Sequence, residues 1–518
     1  MPYDYQPFPY VAPPGLTAPE PRHQVVIVGA GPIGLAMALD LAGRGVPSVV
    51  LDDNNVVSVG SRAICWSKRS LEILDRLGLG DRMVEKGVTW KVGRTFHRDK
   101  EVFNFDLQPE DGHKMPAFIN LQQYYVEQFL VEAAQDNPLV DLRFKNKVVS
   151  VDRQPDHAFV DIETPDGEYS LETDYVLACD GARSPVRHML GLDFDGELFE
   201  ERFLIADIEM EADFPSERWF WFEPTFHPGQ SALLHKQPDN IYRIDLQLGW
   251  DADPEVEKQP DIVIPRIEKV VGHRDFRLDW VSVYTFQCRR LENFVHGRVI
   301  FVGDSAHVVS PFGARGGNGG LQDVDNLGWK LAAVLNGAAP DTLLDSYGRE
   351  RAFGADENII NSTRATRFMT PGDGIERLFR DQVLALAAKA PFARAWVNSG
   401  RLSRPCIYPM EAPDNAQLPD ITRPGAVASD TPQGNGWLLH SLGAGMTVLG
   451  IGCDVPAVEG ALGVTVEVND HVRDRYLGEC AAAIYLIRPD HIIAGRWIAP
   501  VENAAIQARI DTVLKGAP

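Results

Sequence analysis

The segment that most constrains the fold is an apolar run followed at once by spaced glycines, VVIVGAGPIG. The run predicts a parallel strand buried on both faces, and the following residues have apolar side chains at helical spacing. Gly29, Gly31 and Gly34 have the G-x-G-x-x-G spacing of a dinucleotide-binding turn. Such a turn lets the backbone approach a pyrophosphate and places it at a helix N-terminus. The segment therefore predicts a βαβ unit that binds a dinucleotide.

Acidic residues end the next predicted strand, SVVLDD. Asp52 lies where a carboxylate can accept hydrogen bonds from an adenosine ribose, and Asp53 is the neighbouring candidate. Further along, DYVLACDGARSPVR leads from an apolar strand into Asp180-Gly181. Taken alone, that segment is more often an ordinary turn between a strand and a helix, so it predicts a ligand only together with other motifs.

A third motif, GRVIFVGDSAHVVSPFGARGGNGGLQDVDNLGWKL, ends a buried strand at Gly303-Asp304. A loop rich in Pro and Gly follows, and then a helix begins near Asn318. Asp304 is placed to hydrogen-bond a ribityl hydroxyl, and the helix N-terminus is placed to stabilise negative charge on an isoalloxazine edge. Arg315 either adds positive charge near a reduced flavin or is a solvated loop arginine.

The overall composition excludes several classes of protein. A formal net charge of −23 argues against a nucleic-acid partner. The six cysteines have no CxxC spacing, so neither a zinc ribbon nor a dithiol pair is predicted, and no metal site is expected. No signal peptide and no apolar run long enough to span a membrane is evident, so we expect a cytoplasmic enzyme.

These patterns predict an α/β chain of several parts. A Rossmann-type dinucleotide-binding domain is interrupted by an aromatic-rich stretch with alternating polarity, which predicts an antiparallel substrate sheet. The loop-rich region near 400 to 435 precedes a separate small α/β domain. The predicted ranges are an N-terminal Pro-rich arm over 1–23, the dinucleotide-binding domain over 24–190 and 291–400, the substrate sheet over 191–290, and a C-terminal domain over 401–518.

In this order and at these separations, the three motifs resemble those of the class A flavoprotein aromatic hydroxylases, a family that includes para-hydroxybenzoate hydroxylase, phenol hydroxylase and 3-(3-hydroxyphenyl)propionate hydroxylase. The resemblance covers roughly residues 24 to 400. It implies bound FAD, NADH or NADPH as a transient reductant, O2, and a small phenolic substrate hydroxylated through a flavin C4a-hydroperoxide. It also implies that the C-terminal region is thioredoxin-like. Without CxxC, that domain is expected to have a structural role or a role in a homodimer.

The resemblance also implies roles for individual residues. Arg62 matches an arginine near the FAD pyrophosphate, and Gln123 a glutamine that contacts FAD. Asp180-Gly181 matches a motif associated with both FAD and the pyridine nucleotide. The family often has Pro-Pro and Gly-Gln where this chain has Ser310-Pro311 and Ala314-Arg315. The full cofactor set comprises Gly29, Gly31, Pro32, Gly34, Asp52, Asp53, Arg62, Gln123, Asp180, Gly181, Gly303, Asp304, Pro311, Arg315, Gly316, Gly317 and Asn318.

The base or hydrogen-bond partner for a phenol is harder to assign. Candidates come from the substrate sheet and the strand before the third motif: His235, Tyr242, Arg243, Tyr284 and Gln287, together with Pro311 under the flavin. Each sheet candidate is more often a packing or surface residue. His307 is expected to be a structural hydrogen-bonder. Three alternatives remain: the same fold with another outcome (loss of a ring substituent, halogenation or reduction), a non-catalytic flavin-binding protein, and an NAD-dependent dehydrogenase.

Overall fold

The computed structural model describes residues 3–108, 110–249, 251–311, 313–397, 402 and 404–516, without the side chains of 197–201 and 286. The predicted boundary between 400 and 401 and the chain ends, 1–2 and 517–518, lie outside these residues.

A parallel sheet forms the centre of the first domain. Its first strand, His23–Val28, pairs in parallel with Ser48–Asp52 on one side and Gly167–Ala178 on the other. Val25, Val26 and Ile27 are fully buried, as a strand covered by helices on both faces requires. The parallel strands lie in the order Val140–Phe144, Ser48–Asp52, His23–Val28, Gly167–Ala178 and Val299–Phe301, extended by Val295–His296 and by the antiparallel strands Lys147–Arg153 and Ala158–Thr164.

Helices cover this sheet and connect its strands. Pro32–Gly43 packs against both Gln123–Gln135 and the long helix Gly316–Leu335, which in turn packs against Thr342–Met369. Along the chain, a small three-stranded sheet and three helices lie between Ser48–Asp52 and Val140–Phe144. The remaining elements of this part are the strands Cys65–Ser67, Val88–Trp90 and Phe118–Asn120, the helices Lys68–Arg76, Gly80–Lys86, Pro185–Met189, Ile375–Ala387 and Pro391–Val397, and the short strand His307–Val308.

A second, mostly antiparallel sheet lies beside the first domain, and it extends beyond the predicted 191–290 range. Val92–His97 pairs in parallel with Arg218–Phe222, so a hairpin from the first segment of the chain completes its far edge. One face packs on the helix Pro260–Val271 through Ile244, Val263 and Ile267. The strands follow the order His307–Val308, Arg277–Arg290, Asp195–Glu209, Ile241–Leu248, Ser231–Lys236, Arg218–Phe222, Val92–His97 and Lys100–Asp106; the short helix Pro254–Glu257 precedes Pro260–Val271.

The C-terminal part contains its own four-stranded sheet. The outer pair, Ala461–Val466 and Met446–Ile451, is parallel, and the other two pairings are antiparallel. Trp329 and Leu343 of the first domain share a hydrophobic cluster with this part. Its elements are the hairpin Pro432–Gln433 with Gly436–Trp437, the strands Ala461–Val466, Met446–Ile451, Ala483–Ile487 and Ile493–Ile498 in that order, the helices Leu438–Ser441, Asp470–Val472 and Asn503–Leu514, and the π-helical Arg473–Leu477.

The N-terminal arm is extended apart from a 3-10 turn at Pro14–Leu16, and it packs along the first domain. The Phe8 ring stacks on Phe144, with centroids 4.7 Å apart. Glu20 forms an ion pair with Arg143 at 2.7 Å. No helix among the described residues is both long enough and apolar enough to span a bilayer.

Candidate cofactor and substrate site

The glycine turn has the geometry of a phosphate-binding loop. Gly29 has φ +106°, and a Cβ there would lie 2.6 Å from the carbonyl oxygen of Cys179. A Cβ on Gly34 would overlap the carbonyl oxygen of Gly29, so only glycine lets the helix approach the strand this closely. A Cβ on Gly31, by contrast, would meet nothing within 4 Å. Open space therefore lies above Gly31, at the N-terminus of the helix that begins at Pro32.

Asp52 is tied to this turn by its side chain. One carboxylate oxygen accepts a hydrogen bond from the backbone N–H of Ala30 at 2.6 Å, and the other accepts from Asn54 at 2.8 Å. Burial raises the pKa of Asp52, although both backbone hydrogen bonds lower it. Asp53 is exposed beside it. Asp52 thus holds the turn in shape and lies at the position predicted for ribose binding.

The Asp180-Gly181 turn leaves one polar atom without a partner. Asp180 Oδ2 accepts a hydrogen bond from the N–H of Val186 at 2.9 Å, while its Oδ1 is buried and makes no hydrogen bond to the described residues. Burial raises the pKa of this carboxyl. Gly181 has φ +80°, which favours glycine at this turn. A buried acceptor without a donor suits a ligand that supplies a hydroxyl or N–H.

Asp304 lies beside the N-terminus of the helix Gly316–Leu335. A Cβ on Gly316 would lie 3.9 Å from Asp304 Oδ1. The Asp304 side chain is exposed; desolvation by the surrounding protein raises its pKa, while His307 and Arg62 lower it. The preceding residue, Gly303, donates its N–H to Asp323 at 2.9 Å. Asp304 and the positive end of the helix dipole therefore lie next to each other.

Asn318 and Arg315 hold the start of this helix in place. The amide oxygen of Asn318 accepts hydrogen bonds from Ser67 N at 2.9 Å and Ser70 Oγ at 2.6 Å. Its amide nitrogen donates to the carbonyls of Cys65 and Ala314. The side chain of Asn318 is therefore engaged by the protein, which leaves only its backbone for a cofactor. Arg315 is 6% exposed, which corrects the alternative of a solvated loop arginine.

The other predicted loop residues line the same region. The carbonyl of Pro311 accepts a hydrogen bond from Ala314 N at 3.0 Å, and the Pro311 side chain is exposed. Gly317 lies against Trp66 and Ala63. His307 Nε2 makes a hydrogen bond of 2.7 Å with Asp323 Oδ2, and its structural role stays a prediction.

Gln123 organises the loop that contains Arg62. Its amide oxygen accepts a hydrogen bond from the N–H of Ala63 at 3.1 Å, and its amide nitrogen donates to Ser58 Oγ and Glu127 Oε1. Arg62 is exposed, and its guanidinium lies 6.0 Å from the centre of the Tyr284 ring. Arg62 therefore lies between the second sheet and Asp304, which is next to the helix N-terminus.

The second sheet turns a charged row toward this loop. Cross-strand pairing aligns Arg218 with His235, His235 with Arg243, and Arg243 with Asp207. Arg243 and Asp207 form a buried bidentate ion pair with N–O distances of 2.8 and 2.7 Å. Arg243 also donates to the backbone carbonyls of Ser61 and Arg62. The pair thereby joins the sheet to the loop.

One predicted substrate contact, Tyr242, does not lie on this face. Tyr242 packs with Phe214 on the opposite side, where its hydroxyl donates to the carbonyl of Ala212 at 2.9 Å. This prediction is corrected because neighbouring positions of a strand face opposite ways, so Tyr242 and Arg243 lie on different sides of the sheet. Gln287 pairs with Leu198 at an irregularity of the strand pairing, and its contact with substrate stays a prediction.

Asp245 and Arg218 were missed by the sequence analysis. In IYRIDLQL, the apolar residues from Tyr242 to Leu248 share one face, and Arg243, Asp245 and Gln247 share the other. This alternation was a usable signal. Burial raises the pKa of Asp245 to about 6, although Arg243 and Arg218 lower it. Burial also lowers the pKa of His235 well below its usual value, so His235 is neutral at pH 7.

Comparison with known proteins gives consistent results. An FAD binding domain family model matches residues 22–362. The 3-(3-hydroxy-phenyl)propionate/3-hydroxycinnamic acid hydroxylase of Mycolicibacterium smegmatis is 28% identical over 433 residues, which cover 82% of this chain and 76% of that protein. The enzyme of the same name from Burkholderia cenocepacia is 31% identical, over 73% of this chain and 69% of that protein. The structure of an anhydrotetracycline hydroxylase from Streptomyces rimosus superposes with a TM-score of 0.75 at 26% identity, over 96% of this chain and 100% of that one.

Proposed function

The chain belongs to the family of FAD-dependent aromatic hydroxylases, and on that premise we propose that it hydroxylates a small phenolic compound with NADH or NADPH as reductant. The observation that supports this most strongly is that Asp304 lies beside the N-terminus of Gly316–Leu335, while Arg62 acts on Asp304 and lies 6.0 Å from the Tyr284 ring of the second sheet. FAD, when bound, supplies the redox and oxygen chemistry. The protein supplies binding, orientation, exclusion of water and proton transfer.

The residues present fit FAD. The open space above Gly31 suits the pyrophosphate, and Asp52 lies at the ribose position. The unpartnered Oδ1 of Asp180 suits a donor on the cofactor. Asp304 suits a ribityl hydroxyl, and the helix N-terminus suits negative charge on the reduced ring. We assign Gly29, Gly31 and Gly34 to the pyrophosphate turn and Gln123 to the support of the Arg62 loop.

The C-terminal domain is proposed to be thioredoxin-like. Its strands, taken in chain order, lie in the spatial order second, first, third, fourth, with only the first two parallel. Its cysteines, Cys406, Cys453 and Cys480, are free thiols far apart in sequence, in agreement with a role without dithiol chemistry. We propose a structural role for this domain or a role in a homodimer, and a cytoplasmic location stays a prediction.

The experiment that tests the function is oxidation of NADH and NADPH by purified, FAD-loaded protein, with and without a panel of phenols and phenolic acids. Hydrogen peroxide and product are quantified together. We expect one phenol to stimulate oxidation strongly, with little peroxide and one product molecule per reductant consumed. Stimulation that yields only peroxide would identify an effector. No stimulation across the panel, with FAD bound, would overturn the proposal in favour of a flavin-binding protein without this activity.

A further inference from the structure

Three ionisable side chains on the charged face have no partner in the contacts described above. Among the described residues, Arg218 makes no hydrogen bond and no ion pair. His235 is 4% exposed and its Nδ1 is buried without a hydrogen-bond partner. Asp245 Oδ1 is likewise buried and unpartnered. Buried polar atoms are normally hydrogen-bonded, so two such atoms, His235 Nδ1 and Asp245 Oδ1, on one face with the unpaired Arg218 indicate a site that a ligand completes.

The position of Asp245 shows what kind of ligand this is. Asp245 pairs across the strands with Leu233, which packs in an apolar cluster with Phe203 and Phe220. The next cross-strand pair on the same face of these strands is His235 with Arg243. An aromatic ring against the apolar cluster would place a ring hydroxyl beside Asp245.

The charged face lies opposite the small sheet that contains Cys65. The Trp90 ring of that sheet lies 6.5 Å from the His235 ring, and the charges of Arg218, Arg243 and Asp245 act on the Cys65 thiol. The carbonyl of Cys65 accepts a hydrogen bond from Asn318, in the first turn of Gly316–Leu335. Ala314 packs in the same small cluster as Cys65 and Trp90. Cys65 therefore connects the charged face to the start of the helix that borders the proposed flavin region.

We propose that Asp245 is the catalytic base that accepts the hydroxyl proton of the phenolic substrate, and that Arg218 stabilises the oxygen that loses it. The proposal rests on the proposed function and adds the residues that perform its proton transfer. The substrate O–H bond breaks, and the proton binds Asp245 Oδ1. The electron pair stays on the phenolic oxygen beside Arg218, which makes the ring a better nucleophile as it takes up oxygen.

The charges around Asp245 agree with this role. The titratable and charged groups that act on it are Arg243, Asp207 and Arg218 on the sheet, with neutral His235 beside them and Cys65 on the small sheet opposite. A pKa raised by burial to about 6 leaves Asp245 ionised at neutral pH and more basic than an ordinary carboxylate. Of the two cations that act on Asp245, Arg243 is paired with Asp207, which leaves Arg218 available to an oxyanion.

A binding measurement tests the contact without turnover. The probe is 4-nitrophenol, whose absorption reports its ionisation, titrated with pH while bound to FAD-loaded protein without reductant. Asp245→Asn removes a negative charge, so we expect the bound probe to ionise at a pH lower by roughly one unit or more. Arg218→Met is expected to raise the pH at which the bound probe ionises by a similar amount. Arg218→Lys is expected to leave that pH near the wild-type value. Asp161→Asn, an exposed strand residue of the other sheet, is the matched control.

A turnover measurement tests the catalytic role. Asp245→Asn is expected to lower product formed per reductant consumed by roughly 100-fold, with the difference released as peroxide. Wild-type coupling should fall as pH drops through about 6, where Asp245 becomes protonated, and the variant should lack this fall. Unchanged probe ionisation in both charge variants, or unchanged coupling in Asp245→Asn, would overturn the proposal. A wild type that hydroxylates no phenol would instead overturn the proposed function, whatever the probe shows.

Discussion

The ion pair between Arg243 and Asp207 is expected to stabilise the second sheet and to hold the Arg62 loop. Both side chains are nearly inaccessible, at 3% and 4% exposed, and they make two parallel hydrogen bonds. Asp207→Asn keeps the shape but leaves the buried Arg243 charge without the carboxylate that is hydrogen-bonded to it. Removing one partner of a buried pair costs about 3–5 kcal/mol. Because asparagine retains an acceptor for Arg243, we expect about 3 kcal/mol, or more than 100-fold in the unfolding equilibrium.

The assay is urea unfolding of the FAD-loaded protein, followed by tryptophan fluorescence, because Trp219, Trp221 and Trp280 lie in this sheet. Glu163→Gln is the control, since its ion pair with Lys147 is 48% and 60% exposed and should contribute less than about 1 kcal/mol. The double replacement Asp207→Leu with Arg243→Met should recover most of the loss. An Asp207→Asn midpoint that matches Glu163→Gln would refute the reasoning that the pair is buried and coupled.

Three further predictions follow from the site and its support. Gly34→Ala should abolish FAD retention because the alanine Cβ would overlap the carbonyl oxygen of Gly29. Gly43 lies in the same helix with open space around it, so Gly43→Ala should purify with full flavin absorbance. Burial raises the pKa of Asp325, but ion pairs with Arg69 and Arg76 hold that pKa below its usual range. Asp325→Asn should therefore cost most stability at neutral pH. In acid-unfolding curves, the difference from the wild type should shrink as the pH falls below about 4. Ending the chain before residue 404 should expose Trp329 and Leu343 and cause aggregation, measured by sedimentation; a monodisperse, FAD-loaded truncation would contradict this.

The sequence was most informative where the structure is local. The strand, turn and helix around Gly29 lie within one short segment, so spacing and buried-strand pattern predicted their geometry. The same holds for Asp304 and the helix that begins at Gly316, since both belong to one continuous motif. The physical reason is that these contacts form between residues close together in the chain.

The substrate face was harder to predict because it is assembled from distant strands. Arg218, His235 and Asp245 become neighbours only through cross-strand register. The hairpin over 92–106 joins the sheet from another part of the chain, which no local pattern indicated. The alternation in IYRIDLQL places Tyr242 on one face of the strand and Arg243 and Asp245 on the other. It does not indicate that Arg243 contacts the loop around Ser61.

Single turnover under isotopically labelled dioxygen tests the central claim most directly. FAD-loaded protein is reduced with NADH or NADPH, mixed with the phenol that stimulates oxidation and with labelled dioxygen, and the product is analysed by mass spectrometry. We expect a product with one added oxygen atom that carries the label. An unlabelled product, or labelled peroxide with unchanged phenol, would contradict it.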